Sequence, residues 1–291
     1  MQFVFHIGAH GTDAERLLIA LRKNLARLAE LDVGVPRPRI YRTLLNREAL
    51  RLNGTNATAE EQAAIKSQIL GSSNADRVIF DHDRFLGDER QAIANGTLYD
   101  GAQKTAWLRA LFPDDQVEFA LGIRNPATWV PTMFAVYGGD QSFSEFLNET
   151  DTHSLSWADL VQQIQDANPG CRIILWCNED LPLIWPEVLR MVADLEDDEV
   201  VDGDTDILAE IMHPEGLKGM LEYIEARPPN SIAARREVTS AFLDKFVIEA
   251  EIEEEFDLPG WTPGLIAKLT RRYEADIEKL AQMKDVVFIR P

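Results

Sequence analysis

The first seventeen residues restrict the fold of this 291-residue chain more than any other stretch. Phe3, Val4, Phe5 and Ile7 form an apolar run with the length and composition of a buried strand. The run breaks at Gly8, passes through small residues, and enters a helical pattern at Leu17, Leu18, Leu21, Leu25 and Leu28. Strand, glycine turn and helix start bring free backbone N–H groups and the positive end of a helix dipole to one point, which suits a phosphate. Gly11 stands where such loops usually carry a lysine.

The same alternation continues to about residue 180. Residues 77–80, Gln116–Ile123 and residues 171–177 read as strands, and Ile40 and Tyr41, after Pro36 and Pro38, as a short one. Residues 58–69, 104–111, 127–137, Phe143–Leu147 and Trp157–Ala167 read as helices, with Pro131 acceptable only in a first turn. Short apolar strands alternating with helices predict an α/β fold, a parallel sheet flanked by helices. From 181 onward the pattern is mainly helical, best at Ile232–Phe246 and 263–283, with Val286–Ile289 as a final strand or packed tail. There is no internal repeat or low-complexity linker. We therefore expect one domain: an α/β core over 1–180 and a helical elaboration over 181–291.

Polar clusters follow the strands at 6–12, 81–83, 124–132 and 178–180, where ligands of parallel sheets bind. The net charge of −20 argues against nucleic acid and works against any anionic ligand without local cations. No run approaches the roughly 18 apolar residues of a membrane span. With no basic and apolar leader pattern, a cytoplasmic protein off the membrane is expected. Cys171 and Cys177 read as buried thiols, not as a disulfide or zinc site. Asp202, Asp204 and Asp206 lack the spacing and closing Glu of a calcium loop and read as a solvated segment.

Two segments together carry a family resemblance. His6-Ile7-Gly8-Ala9-His10-Gly11-Thr12-Asp13-Ala14-Glu15-Arg16-Leu17 resembles the sulfuryl-donor loop of PAPS-dependent sulfotransferases, typically His-Ile-Gly-x-x-Lys-Thr-Gly-Thr-Thr-Ser-Leu. Ile123-Arg124-Asn125-Pro126, with Thr132 eight residues past the arginine, resembles that family's 3′-phosphate motif. The segment 78–83 lies where bacterial members often show an apolar strand ending in Ser-Ser-Glu. The resemblance implies a P-loop-type fold that binds 3′-phosphoadenosine 5′-phosphosulfate (PAPS) as co-substrate. It implies sulfuryl transfer to a small-molecule or glycan hydroxyl or amine, without a metal. Gly8, Gly11, Thr12, Arg16, Arg124 and Thr132 would then line the PAPS site.

The loop departs from that pattern. Without gaps, lysine becomes Gly11, the loop glycine Asp13, and the two threonines Ala14 and Glu15. Asp13 reads as an N-cap, and Asp13 with Glu15 would satisfy the helix dipole in place of an external anion. His10 and Arg16 are the cations that could compensate, and His10 joins the catalytic candidates. For a general base, His82 comes first, then Asp83, then Asp81. His6 reads as a core histidine, while His153 and His213 lack supporting partners. Trp129, Phe134, Tyr137, Trp176 and Trp185 fill the core or line an acceptor pocket. Two functions follow: a sulfotransferase, or a non-catalytic protein of that fold that binds a nucleotide or other anion or serves as an interaction module. A P-loop kinase or NTPase is disfavoured, because no Gly-Lys-Ser/Thr seats magnesium.

Overall fold

The structure, a computed structural model, describes residues 1–13, 15–94, 96–148, 150–197, 199–252 and 256–291. Six parallel strands form the main sheet: β1 (Gln2–His6), β2 (Val33–Gly34), β3 (Arg77–Asp81), β6 (Gln116–Ile123), β7 (Arg172–Cys177) and β8 (Val286–Ile289). Their order is β2-β3-β1-β6-β7-β8. Between β3 and β6 the short strands β4 (Ile93–Ala94) and β5 (Thr97–Leu98) pair antiparallel as a separate hairpin. The α/β class predicted from the alternating pattern is the observed one.

Alternate residues of the strands feed two cores. Phe3 and Phe5 of β1 join Phe80, Phe112, Phe119, Trp129 and Trp157 on one face of the sheet. Val4 joins Ile79, Ala120, Ile174 and the leucines Leu17, Leu18 and Leu21 on the other, with Trp176 and Trp185. Three of the five aromatics held between core and pocket are thus core. Phe134 is half-buried against the first face and Tyr137 is exposed. Both cysteines are buried, and burial pushes the Cys177 thiol up to about 12.

The chain leaves β1 for the helix Arg16–Lys23 on the second face, and leaves β6 for Pro126–Tyr137 on the first. It leaves β7 for Leu181–Ala193, again on the second. Connections that part to opposite faces open a crevice beyond the carboxyl ends of these strands.

Two local readings need correction. Ile40 and Tyr41 lie inside the helix Pro38–Leu52, not in a strand. Pro38 occupies its first turn, where a missing N–H costs nothing, and Tyr41, Leu44, Leu45 and Ala49 are buried at helical spacing. Pro131 sits in the interior of Pro126–Tyr137, not in its first turn. It cannot donate to the carbonyl of Ala127; the Trp261 indole N–H does so instead, at 3.0 Å.

The segment around Asp202, Asp204 and Asp206 lies at the surface, as expected, and is tied down there. Lys23 reaches Asp206 at 2.7 Å, Arg235 reaches Asp204 at 2.5 Å, and the Asp202 N–H donates to Asn24. Of the acidic run 249–257, residues 253–255 lie outside the described residues. Beyond 181 the helices Asp206–Ile211, Pro214–Ala226 and Ile232–Phe246 gather around a small core of Leu208, Met212 and Met220. Pro263–Leu280 packs on the first face of the sheet through Leu269, Tyr273 and Leu280, and β8 pairs with β7. Among the described residues no helix is long and apolar enough to cross a membrane.

Candidate functional site

The loop after β1 spends its backbone groups inside the protein. Past His6 it keeps pairing with β6: the Ile7 N–H donates to Ala120 O at 2.9 Å and the Ala9 N–H to Gly122 O at 3.0 Å. The His10 N–H donates to the Tyr99 hydroxyl at 2.8 Å. Three loop carbonyls also have donors: Thr12 Oγ1 on Ala9, Trp129 Nε1 on His10 and Arg124 Nη1 on Gly11, at 2.6, 2.7 and 2.9 Å. Gly11 has φ 68, and a Cβ there would lie 3.4 Å from Met133 Sδ. A lysine at this position would have to accept a left-handed backbone.

Asp13 fills the helix N-terminus, but from two residues ahead of the N-cap position expected of it, which Glu15 occupies. Its Oδ1 accepts from the Glu15 N–H and its Oδ2 from the Leu17 N–H, both at 3.2 Å. These are the kind of amides that would otherwise hold a phosphate. Glu15, expected in the first turn, precedes the helix at φ 65, and its carboxylate pairs with Arg42 at 2.7 Å. Ala14 lies outside the described residues.

Behind Asp13 lies a buried charge cluster. Parallel pairing of β1 with β3 sets His6 beside Asp81 in register. His6 Nδ1 is 2.5 Å from Asp81 Oδ1 and 3.9 Å from Asp13 Oδ2. Arg42 takes the other oxygen of Asp81 at 3.0 Å. Burial works against the charged imidazole, but Asp13, then Asp81, more than offset it and raise the His6 pKa to about 9. Burial also holds the Asp13 carboxyl above its ordinary range, against the pull of His6. His6 is buried, as its reading as a core histidine predicts, and sits there in contact with a carboxylate. His6, Asp13 and Asp81 are the one trio of metal-ligand type grouped this closely among the described residues, within 4.8 Å.

On the other flank the structure brings the three predicted catalytic residues together. Asp83, half exposed, lies 3.7 Å from His10 Nε2 and 3.5 Å from His82 Nδ1, beyond good hydrogen-bond distance. Both ring nitrogens are buried without a hydrogen-bond partner among the described residues. Burial lowers the His10 pKa despite Asp83, and so works against the charged form that a compensating cation needs. Burial also pushes against the Asp83 charge, but His82 and His10 prevail and leave that carboxyl at about 2. The Tyr99 hydroxyl lies 2.9 Å from His10 Nδ1 and holds the ring.

The second phosphate motif is equally engaged. Besides Gly11 O, Arg124 donates through Nε to Thr128 Oγ1 at 3.3 Å. The Thr132 hydroxyl donates back to Thr128 O at 2.9 Å within its own helix. The Asn125 N–H donates to Glu179 Oε1 at 2.6 Å, and Glu179 Oε2 accepts from the Tyr273 hydroxyl at 3.0 Å. Arg16 is held by Glu210 through Nε and Nη2, at 3.0 and 2.6 Å. Between these groups a cavity of about 400 Å³ opens at the strand ends, bordered by Thr12, Arg16, Arg124 and Thr128 on one side.

Gly8, Gly11, Thr12, Arg16, Arg124 and Thr132 therefore surround the first crossover, but their environment does not fit PAPS as it stands. The Asp13 carboxylate holds the amides at the first helix N-terminus, and Glu179 takes the backbone N–H of Asn125, the N-cap of the second. The lysine position is glycine, and both arginines are engaged. Sequence reasoning missed Arg42, Tyr99 and Glu210, which reach the site from distant segments with no motif of their own. Glu179 falls in a polar cluster that the strand pattern does single out.

No protein-family model matches the chain, and no curated protein is similar to it. Among solved structures, a sulfotransferase from Alicyclobacillus acidocaldarius is similar at a TM-score of 0.40 and 15% identity. The match covers 82% of this chain and 97% of that one. A likeness of this size assigns neither family nor function.

Proposed function

We propose that this chain is a small-molecule binding protein built like a sulfotransferase, in which its own carboxylates stand where the sulfuryl donor would bind. One observation carries the reading: Asp13 accepts the Glu15 and Leu17 amides at the first helix N-terminus. An incoming phosphosulfate would have to expel that carboxylate and then sit beside Asp81 and Glu15, a like-charge approach in a buried site. The cavity between the arginines and Glu179 remains as the binding space.

Calorimetry with adenosine 3′,5′-bisphosphate tests this. The native chain should bind no tighter than about 1 mM. Asp13→Asn, which keeps a capping oxygen and removes the charge, should tighten binding about tenfold. Labelled PAPS should lose no sulfuryl group to alcohols or amines. Steady transfer by the native chain would overturn the proposal.

A second reading, an active PAPS-dependent sulfotransferase, is favoured by the meeting of His10, His82 and Asp83 at the strand ends. Here His82 or Asp83 takes the acceptor proton. It requires Asp13 to leave the amides, and the same transfer assay decides between the two.

A further inference from the structure

The strand-end cavity lies between two parts of the molecule. One wall belongs to the sheet and its crossovers, with Thr12 and Arg124, and the other to the helices beyond 205, with Ile207, Glu210, Ile211 and Ile252. We propose that residues 206–252 form a lid over this cavity, clasped by ion pairs, which opens as ionic strength rises.

The lid is closed on itself. Its helices share the small core of Leu208, Met212 and Met220. Its ends are joined where the His213 N–H donates to Phe246 O and the Ile248 N–H to Ile211 O, both at 2.8 Å. Among the described residues Ile207 is the one member of the lid that enters a core of the sheet. Opening therefore withdraws a single isoleucine from those cores and leaves the lid's own core intact.

Charge holds the lid down. Glu210 meets Arg16 at 2.6 Å, Asp206 meets Lys23 at 2.7 Å, Arg235 meets Asp204 at 2.5 Å, and Arg236 lies 3.3 Å from Glu187. Each of these side chains keeps some exposure to solvent. In the last pair Arg236 Nε and Glu187 Oε2 are enclosed without a hydrogen-bond partner among the described residues. Water admitted by opening satisfies both.

Pairs near the surface weaken with salt, because the Debye length falls from about 10 Å at 0.1 M to about 3 Å at 1 M. The apolar cores of the sheet carry no charge to screen, so the lid loosens while the sheet stays closed. This opening belongs to the chain itself and holds whatever the cavity binds.

The test is thiol accessibility in the full chain with N-ethylmaleimide, a neutral reagent. Ile207→Cys places a thiol under the lid, and Leu221→Cys, at an exposed position of Pro214–Ala226, reports the intrinsic rate. The native Cys171 and Cys177, both buried, report opening of the sheet. Relative to Leu221→Cys, Ile207→Cys should react about tenfold faster in about 1 M than in about 0.02 M NaCl, with the native cysteines protected. Adding Glu210→Gln should raise the low-salt rate about threefold and shrink the response to salt. A rate independent of salt overturns the lid. Labelling of Cys171 or Cys177 at the same pace overturns it too, because the whole fold would then be opening. Ile207→Cys itself removes packing, so spin labels at Ile19→Cys and Leu221→Cys, both exposed, give a second measurement. A longer separation should gain population at high salt, and one unchanged separation overturns the proposal.

Discussion

Two histidines four residues apart, His6 and His10, are both almost fully buried, yet their protonation is driven in opposite directions. His6 touches Asp81 and has Asp13 at 3.9 Å, and against its burial these raise its pKa to about 9. His10 has one half-exposed carboxylate at 3.7 Å, too far to offset its burial, and its pKa falls. Burial alone does not decide the state of an ionisable side chain; contact with a carboxylate that is itself held in place does. The closed flank is therefore a charge cluster that fixes structure. The open flank is a pair of imidazoles, His10 and His82, around an accessible carboxylate.

The sharpest way to break this comparison is to remove one carboxylate from each flank. Asp81→Ala strands His6 and Arg42 in the interior and should cost about 3–5 kcal/mol in urea denaturation. A loss of similar size from Asp83→Ala would show that the flanks are alike after all.

The next effect is in pH. The folded pKa of His6 is raised, so its contribution is complete below the unfolded value of about 6.5 and disappears as pH rises through about 9. At 1.36 kcal/mol per pKa unit, the loss across that window is of order 3 kcal/mol. The folded pKa of His10 is lowered, so its contribution is present above about 6.5 and lost as pH falls through the folded value. Denaturation across pH should show His6→Gln flattening the alkaline limb and His10→Gln the acid limb. One limb lost to both variants would merge the two regions.

The smallest effect is at Asp83→Asn, whose stability cost should stay under about 1 kcal/mol because the group is half exposed. Asp83 is the leading influence that raises His10. The His10 titration followed by NMR should therefore move further down in this variant. An upward shift would assign the proton of that flank to another group.

The sheet was largely legible because β1, β3, β6 and β7 are apolar runs framed by turns, and periodicity alone separates them from the helices. That Asp13 meets the helix amides was legible too, since its place before a leucine pattern is a local fact, but the N-cap position itself falls to Glu15. The His6–Asp81 pair was not. It joins residues 75 apart and exists because β1 and β3 are neighbours in register, which no single segment encodes. Ile40 and Tyr41 misled because two β-favouring residues after prolines look extended, while burial of Tyr41, Leu44 and Leu45 on one face made the segment helical. The meeting of His10, His82 and Asp83 was anticipated only through the rule that polar groups gather at strand ends.

The indole of Trp261 closing the gap left by Pro131 makes a short-range element answerable to a long-range one. The helix leading from β6 can complete its backbone bonding only after a segment 134 positions further along has docked. Arg124 and Asn125 stand at the head of that helix. The geometry of the cavity mouth and the seating of the C-terminal region therefore form one cooperative unit, gained and lost together.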